Sequence, residues 1–268
     1  MQAFKFNTAN SIIFRPGASA DLGEIAGSLL GDRVLLVTDP GLRKLGLCDK
    51  ALTALKASGC KVTVFDQVEA DPSRATLKAA VAAGIDANVT GVIGFGGGSS
   101  LDVAKLSALL IGSGEDLDSA WGVEMAKGPR LPLVLVPTTA GTGSEVTPVS
   151  IITVGEEEKR GVSSPIILPD IAVLDAELTL GLPASITAAT GVDAMVHAIE
   201  VLAHQRRHGM AGWFMREAAV WTLDNGGHTL SVVCTRANEA ANALYASLGM
   251  ALVGQYHYRR MSGEDDST

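Results

Sequence analysis

Cysteine is scarce in this chain. Cys48, Cys60 and Cys234 are spread through 268 positions, and their odd number, wide spacing and want of a CxxC pair signal neither a disulfide frame nor a thiolate zinc site. Basic residues are also in deficit: 21 Lys and Arg stand against 29 Asp and Glu, a formal charge of −8. No cationic cluster is long enough to track a phosphate backbone, which argues against nucleic acid and anionic membrane surfaces as partners. Long apolar runs are missing too. The longer ones, such as residues 131–136, are of strand length, far short of the roughly 18 residues that span a bilayer. The first residues, Met1 to Phe14, alternate polar with apolar and lack the basic, apolar, small-residue order of a secretory signal. These absences predict a soluble, cytoplasmic protein.

What the chain does have is a 47% hydrophobic content, a mean hydropathy of +0.27 and 30 glycines. Fully buried parallel strands read as continuous apolar runs, and tight loops at their ends use glycine, so the composition is that of an α/β protein. From Arg33 onward, strand-length apolar runs (34–38, 62–65, 89–94 and 131–136) alternate with segments of helical period (42–58, 73–83 and 100–111). That alternation predicts a parallel sheet with crossover helices, a Rossmann-like dinucleotide-binding fold. Near Gly181-Leu182-Pro183 the β-branched runs stop, and residues 185–203 read as one amphipathic helix. The expected domains are therefore 1–183, α/β, and 184–268, all-helical. Within the second, periodicity is weak over residues 204–236, a last helix is expected over 238–253, and the acidic tail 262–268 should fray.

Four segments carry chemistry. Gly94-Phe95-Gly96-Gly97-Gly98-Ser99-Ser100-Leu101-Asp102 runs from a buried strand through three glycines into a helix. Such a turn lets backbone amides approach a pyrophosphate, although the GxGxxG fingerprint is not met. The alternative is a tight turn with Ser99 or Ser100 as helix N-cap. Asp39 ends an apolar run, where open α/β sheets bind ligands; it can accept from ribose hydroxyls, favouring NAD over NADP, or simply form a turn before Pro40. Pro137-Thr138-Thr139-Ala140-Gly141-Thr142-Gly143-Ser144-Glu145-Val146-Thr147 sets five hydroxyls behind another strand, small donors that suit a ribose, a phosphate or a nicotinamide amide as well as an ordinary surface turn. Asp193 and His197, four apart, share one helix face and can share a divalent cation. Asp193 closing a capping box with Thr190, and His197 as a core residue, are the alternatives.

In this order these segments, with Leu168-Pro169-Asp170 and Asp175, resemble the signatures of the iron-containing (group III) alcohol dehydrogenases, a resemblance covering roughly residues 4–200. It implies a dinucleotide-binding α/β domain followed by an all-helical domain, here shortened. By resemblance Asp39 holds the adenosine ribose, and Gly96, Gly97, Gly98 and Ser99 hold the pyrophosphate. Thr138, Thr139, Thr142 and Ser144 line the cofactor site, and Lys159 lies near the nicotinamide ribose. Asp193 and His197 match the first two of four protein metal ligands and are the catalytic pair. His257 falls near the place of the third ligand, but its setting, Gln255-Tyr256-His257-Tyr258-Arg259-Arg260, differs from the family's, and no histidine follows it.

The cofactors so implied are NAD and Fe(II), with Zn(II) as the alternative ion. The implied function is hydride transfer between nicotinamide and a small alcohol, aldehyde or hydroxy acid. A non-catalytic NAD-binding remnant and a metal-free relative resembling maleylacetate reductases are the competing readings. A small-molecule substrate is the expected partner, its identity unread, and homo-oligomerisation is left open.

Overall fold

The apolar runs do become strands. The structure, a computed structural model, describes residues 7–155 and 158–203. Its elements in chain order are β1 (Ser11–Phe14), α1 (Leu22–Leu30), β2 (Arg33–Val37), α2 (Pro40–Lys44), α3 (Asp49–Ala57), β3 (Lys61–Phe65), α4 (Arg74–Asp86) and β4 (Gly91–Gly96). They continue with α5 (Gly98–Ser113), α6 (Leu117–Ala120), β5 (Gly122–Val123), β6 (Leu133–Pro137), β7 (Val149–Thr153), β8 (Lys159–Ser163), β9 (Ile171–Leu174) and α7 (Ala184–Ala203). The segment 204–236, the helix expected over 238–253, the tail 262–268 and His257 lie outside the described residues.

Six strands form one sheet in the order β1-β9-β6-β4-β2-β3, every pairing in it parallel. A parallel sheet must be covered on both faces, and the side-chain alternation of its strands does this. Val34 and Leu36 of β2, with Ile93, Phe95, Val134 and Val136, pack on Leu22, Ala26 and Leu30 of α1 and Ala51, Leu52 and Leu55 of α3. On the other face Leu35, Val37, Val92, Leu133 and Leu135 meet Leu77 and Ala80 of α4 and Leu101, Leu106 and Leu109 of α5. The result is a three-layer α/β/α sandwich. Gly94 sets the spacing of the second face, because a Cβ there would lie 2.7 Å from Leu135 and 2.8 Å from the Ala104 methyl of α5. A smaller sheet, β5-β8-β7, joins an antiparallel β7–β8 hairpin to the two-residue β5.

The helix expected over 42–58 is two helices, α2 and α3. Gly46, at φ 69°, reverses the chain between them, a left-handed conformation that a continuous helix does not admit. The elements β1, α1, β7, β8 and β9 add to the strands and helices read from the sequence. Residues Phe4–Val192 form one compact unit, and the chain from Asp193 belongs with a second, so the division falls inside α7.

Candidate functional site

The strand order places the site. Going along the chain, β2 is followed outward by β3, whereas β4, β6 and β9 build in the opposite direction from β2. The reversal lies between β2 and β4, and open α/β sheets bind ligands outside the carboxyl ends of strands at such a switch point. Asp39 follows β2 there, and Gly97 follows β4.

Gly96 turns the chain out of the sheet at φ 152°, and a Cβ on it would sit 2.7 Å from the Ser100 hydroxyl and 2.8 Å from the Ser100 Cβ. Gly97 is the N-cap of α5, in extended conformation and without a side-chain hydrogen bond to the helix start. Neither Ser99 nor Ser100 is the cap, contrary to the simple turn reading. The Ser100 side chain is buried instead. Sixteen aligned peptides of α5 thus end in N–H groups that no capping side chain covers, with partial positive charge at the same place. Side chains close α2, α4 and α6 (Asp39, Ser73 and Asp116), while α1 and α3 start, like α5, without a side-chain cap; α5 alone of these three starts at the switch point.

The threonine loop starts beside this turn because Gly96 pairs with Pro137 in the register of β4 and β6. The Thr138 amide donates to the Gly96 carbonyl at 3.0 Å, and the Thr138 side chain is buried. Thr139 and Thr142 flank the glycines: Cβ atoms built on Gly97 and Gly98 would lie 3.8 Å from Thr139 and 3.1 Å from Thr142. Ser144 is tied in from below, its hydroxyl donating to Asp102 Oδ1 at 2.6 Å.

Two participants in this network have no role assigned from the sequence: Lys105, and Asp102, which ends the glycine motif. Lys105, on α5, has a fully buried side chain. Its Nζ donates to Ser144 Oγ (2.8 Å), to the carbonyl of Thr147 (3.1 Å) and to that of Val149 (2.7 Å), and lies 3.7 Å from Asp102 Oδ1. Asp102 also accepts from the Ile151 amide at 2.9 Å, and its backbone carbonyl from the Ser150 hydroxyl at 3.0 Å. Burial pushes the Lys105 ammonium down to about 8, against the pull of Asp102 and Glu145. Burial likewise raises Asp102, opposed by Lys105 and the Ser144 hydroxyl, and raises Glu145. The available clue was a lysine inside Val103-Ala104-Lys105-Leu106, an otherwise apolar stretch of helix, since an unpaired lysine is almost never fully buried.

Asp39 caps α2, its Oδ1 accepting from the Leu42 amide at 2.9 Å. The turn role is therefore filled by one carboxylate oxygen, with the second free of that bond. Lys159, on β8, pairs with Asp71 at 2.5 Å on the exposed loop after β3.

Asp193 and His197 lie within α7, nine and thirteen residues beyond its first residue, Ala184. A helix start at Thr190 is thereby overturned, since the Thr190 hydroxyl donates back to the Ile186 and Thr187 carbonyls within the continuous helix. His197 Nε2 stands 3.6 Å from Asp193 Oδ1, with the two side chains 55% and 44% exposed. That exposure is not the burial of a core histidine. An imidazole and a carboxylate on one face are donors a divalent metal accepts. Among the described residues, no group of three or more His, Cys, Asp or Glu could hold a metal ion. Also among the described residues, no helix is long and apolar enough to cross a membrane.

The sequence profile described as iron-containing alcohol dehydrogenase matches residues 9–176, which include β1 through β9 and both loops. The chain belongs to the iron-containing alcohol dehydrogenase family. It is 38% identical to a sulfoacetaldehyde reductase of Bilophila wadsworthia over 203 residues, 74% of this chain and 51% of that protein. To long-chain-alcohol dehydrogenase 1 of Geobacillus thermodenitrificans it is 42% identical over 170 residues, 62% of this chain and 43% of that one. Among solved structures, a 1,3-propanediol oxidoreductase superposes with a TM-score of 0.74 at 36% identity, covering 78% of this chain and 55% of that one. A sulfoacetaldehyde reductase from Bifidobacterium kashiwanohense in complex with NAD+ superposes with a TM-score of 0.66 at 29% identity, covering 75% and 53%. The chain spans about half the length of the curated relatives it matches.

Proposed function

We propose that this chain binds NAD(H) at the switch point between β2 and β4 and serves an NAD-dependent, metal-assisted oxidoreductase reaction of the alcohol dehydrogenase or aldehyde reductase type. The observation that carries the reading is the uncapped N-terminus of α5 behind the Gly96 turn, flanked by Thr139 and Thr142. Backbone amides at Gly98 and Ser99 would bind the pyrophosphate, and the free oxygen of Asp39 would accept from the adenosine ribose. Thr138, Thr139, Thr142 and Ser144 would line the rest of the dinucleotide. Lys159 would reach the nicotinamide ribose only by leaving Asp71. The solved NAD+ complex of a family relative supports the choice of cofactor.

Asp193 and His197 fit the first two protein ligands of a divalent ion, iron or zinc. When bound, that ion supplies Lewis-acid polarisation of an alcohol or carbonyl oxygen. The chain's own contribution is to hold the ion through the carboxylate and imidazole of α7, and to hold and orient the dinucleotide by the two loops. The substrate class is a small alcohol, aldehyde or hydroxy acid, and the compartment is the cytoplasm.

A second reading is favoured by one observation. The setting of His257, Gln255-Tyr256-His257-Tyr258-Arg259-Arg260, is not that of the family's third ligand, and a site held by two protein ligands binds metal weakly. A nucleotide-binding protein without turnover, or a metal-free reductase of the same fold, would need no more. Calorimetry and NADH absorbance separate the readings. The dehydrogenase binds NADH, binds Fe(II) or Zn(II) with an affinity lowered about tenfold or more by His197→Ala, and consumes NADH when an aldehyde is added. NADH binding with neither metal affinity nor consumption supports the non-catalytic reading, and consumption unaffected by chelation supports the metal-free one.

A further inference from the structure

The cost of burying Lys105 asks for an explanation. An ammonium with no exposed surface loses its hydration, and here its carboxylate partner, Asp102, stands off at 3.7 Å with 17% of its side chain exposed. A buried pair of this kind is seldom better for stability than an apolar side chain of the same size, and the neighbours Ala104, Leu106, Ala108 and Leu109 are all fully buried apolar residues that would accept one. Yet all three acceptors that Lys105 meets at hydrogen-bond distance belong to a single short segment, Ser144, Thr147 and Val149, which runs from the threonine loop into β7. The same segment is gripped again by Asp102, through the Ser144 hydroxyl and the Ile151 amide. A lysine and an aspartate one helical turn apart on α5 thus clamp the outgoing arm of the threonine loop. The incoming arm is fixed separately, by the Thr138 amide on Gly96.

We propose that Lys105 is a positioning residue of the cofactor site. Its ammonium fixes the 144–149 arm against α5 and so sets where Thr142 and Ser144 stand over the glycine turn. This rests on the cofactor reading given above. Because the Lys105 side chain is fully buried, its effect on a bound dinucleotide passes through the loop and not through contact. The Ser144 amide donates to Thr142 Oγ1 at 3.3 Å, and this carries the clamp back to the threonine that flanks Gly98. Two charged groups bear on Lys105. Asp102 faces it from α5 and Glu145 from the loop, while β7 offers it only a backbone carbonyl. The ammonium is lowered to about 8, so the clamp holds below that pH and weakens above it.

The test is NADH titration of the full chain by calorimetry, with circular dichroism as the folding control. At neutral pH, Lys105→Met weakens NADH binding about tenfold, the size of one lost charge-assisted anchor, with an unchanged far-ultraviolet spectrum. A series from about pH 6.5 to about pH 9.5 shows wild-type affinity falling through pH 8, and the Lys105→Met affinity flat. Lys105→Arg, which keeps the charge, recovers part of the loss. No NADH binding by the wild type sinks the cofactor reading itself. Wild-type binding with Lys105→Met affinity within about twofold overturns the positioning role alone. Where Lys105→Met does not fold, the wild-type pH series decides, and a flat series overturns the proposal.

Discussion

Gly96 combines a backbone angle of 152° with a neighbour, Ser100, in the space a side chain would need. Gly96→Ala should therefore cost about 1–3 kcal/mol of stability and weaken NADH binding more than that loss explains, because the turn itself moves. Urea unfolding and calorimetry on the same preparation check both. Asp175 is a quieter residue with a comparable grip: its carboxylate accepts from the Gly17, Ser19 and Glu177 amides and from the Ser19 hydroxyl at 2.6–3.1 Å. Burial alone would raise the Asp175 carboxyl, but these bonds from Ser19, Gly17 and Glu177 outweigh it and hold it below its usual value. A depressed carboxylate stabilises the fold above its unfolded value, about 3.9, and that contribution is lost as pH falls through the lower folded value. Asp175→Asn should thus lower stability by about 2 kcal/mol at neutral pH, with the gap from wild type closing below about pH 4 in acid-denaturation curves. What could be read from single residues follows the same line. The glycine turn and the threonine loop announce themselves because their residue types are needed by the backbone geometry. Lys105 did not, because its role depends on which segment of chain, some forty residues on, the fold lays across α5.

At the scale of elements, legibility tracks burial. β2, β4 and β6 lie at the middle of the sheet, covered on both faces, and stand out as unbroken apolar runs. β1 and β8, at a sheet edge or in the hairpin, are largely exposed and carry Ser, Lys and Arg, so no period marks them. The break between α2 and α3 was hidden because leucines continue on both sides of Gly46 at helical spacing. Most of α5 is buried from Ser100 to Leu110, which makes it the helix least able to absorb a void. Leu106→Ala should cost about 2–5 kcal/mol, read from the urea midpoint at unchanged slope. It should loosen NADH binding only slightly, since Leu106 touches the core and not the clamp. A loss of affinity as large as that of Lys105→Met would show that the helix as a whole, and not its charged pair, positions the loop.

For the whole molecule, the family profile and the compact unit Phe4–Val192 coincide closely. A fragment ending at Val192 should therefore unfold in one cooperative transition and keep NADH affinity within about threefold of the full chain. Limited proteolysis followed by mass determination would locate the cut, and calorimetry would compare the affinities. The α/β class, the glycine and threonine loops at strand ends and the helix of Asp193 and His197 were all legible in the sequence. Further metal donors were not, because the residues around His257, Gln255-Tyr256-His257-Tyr258-Arg259-Arg260, carry no spacing that marks a ligand.

The outermost pairing of the sheet carries a further consequence, this one for biosynthesis. Ser11 of β1 has its partner in Ile171, 160 residues later. At about 5–20 residues per second on the ribosome, β1 emerges and then waits on the order of ten to thirty seconds before β9 exists to receive it. β2, β3 and β4 can meanwhile assemble in their order of synthesis. β1 is thus made well before the strand that receives it, and the nascent chain carries it unpaired in the meantime, with Ile12 and Phe14 that stay 49% and 73% exposed even after folding. Chaperone engagement during translation should be concentrated there, and should end when residues 171–174 clear the tunnel.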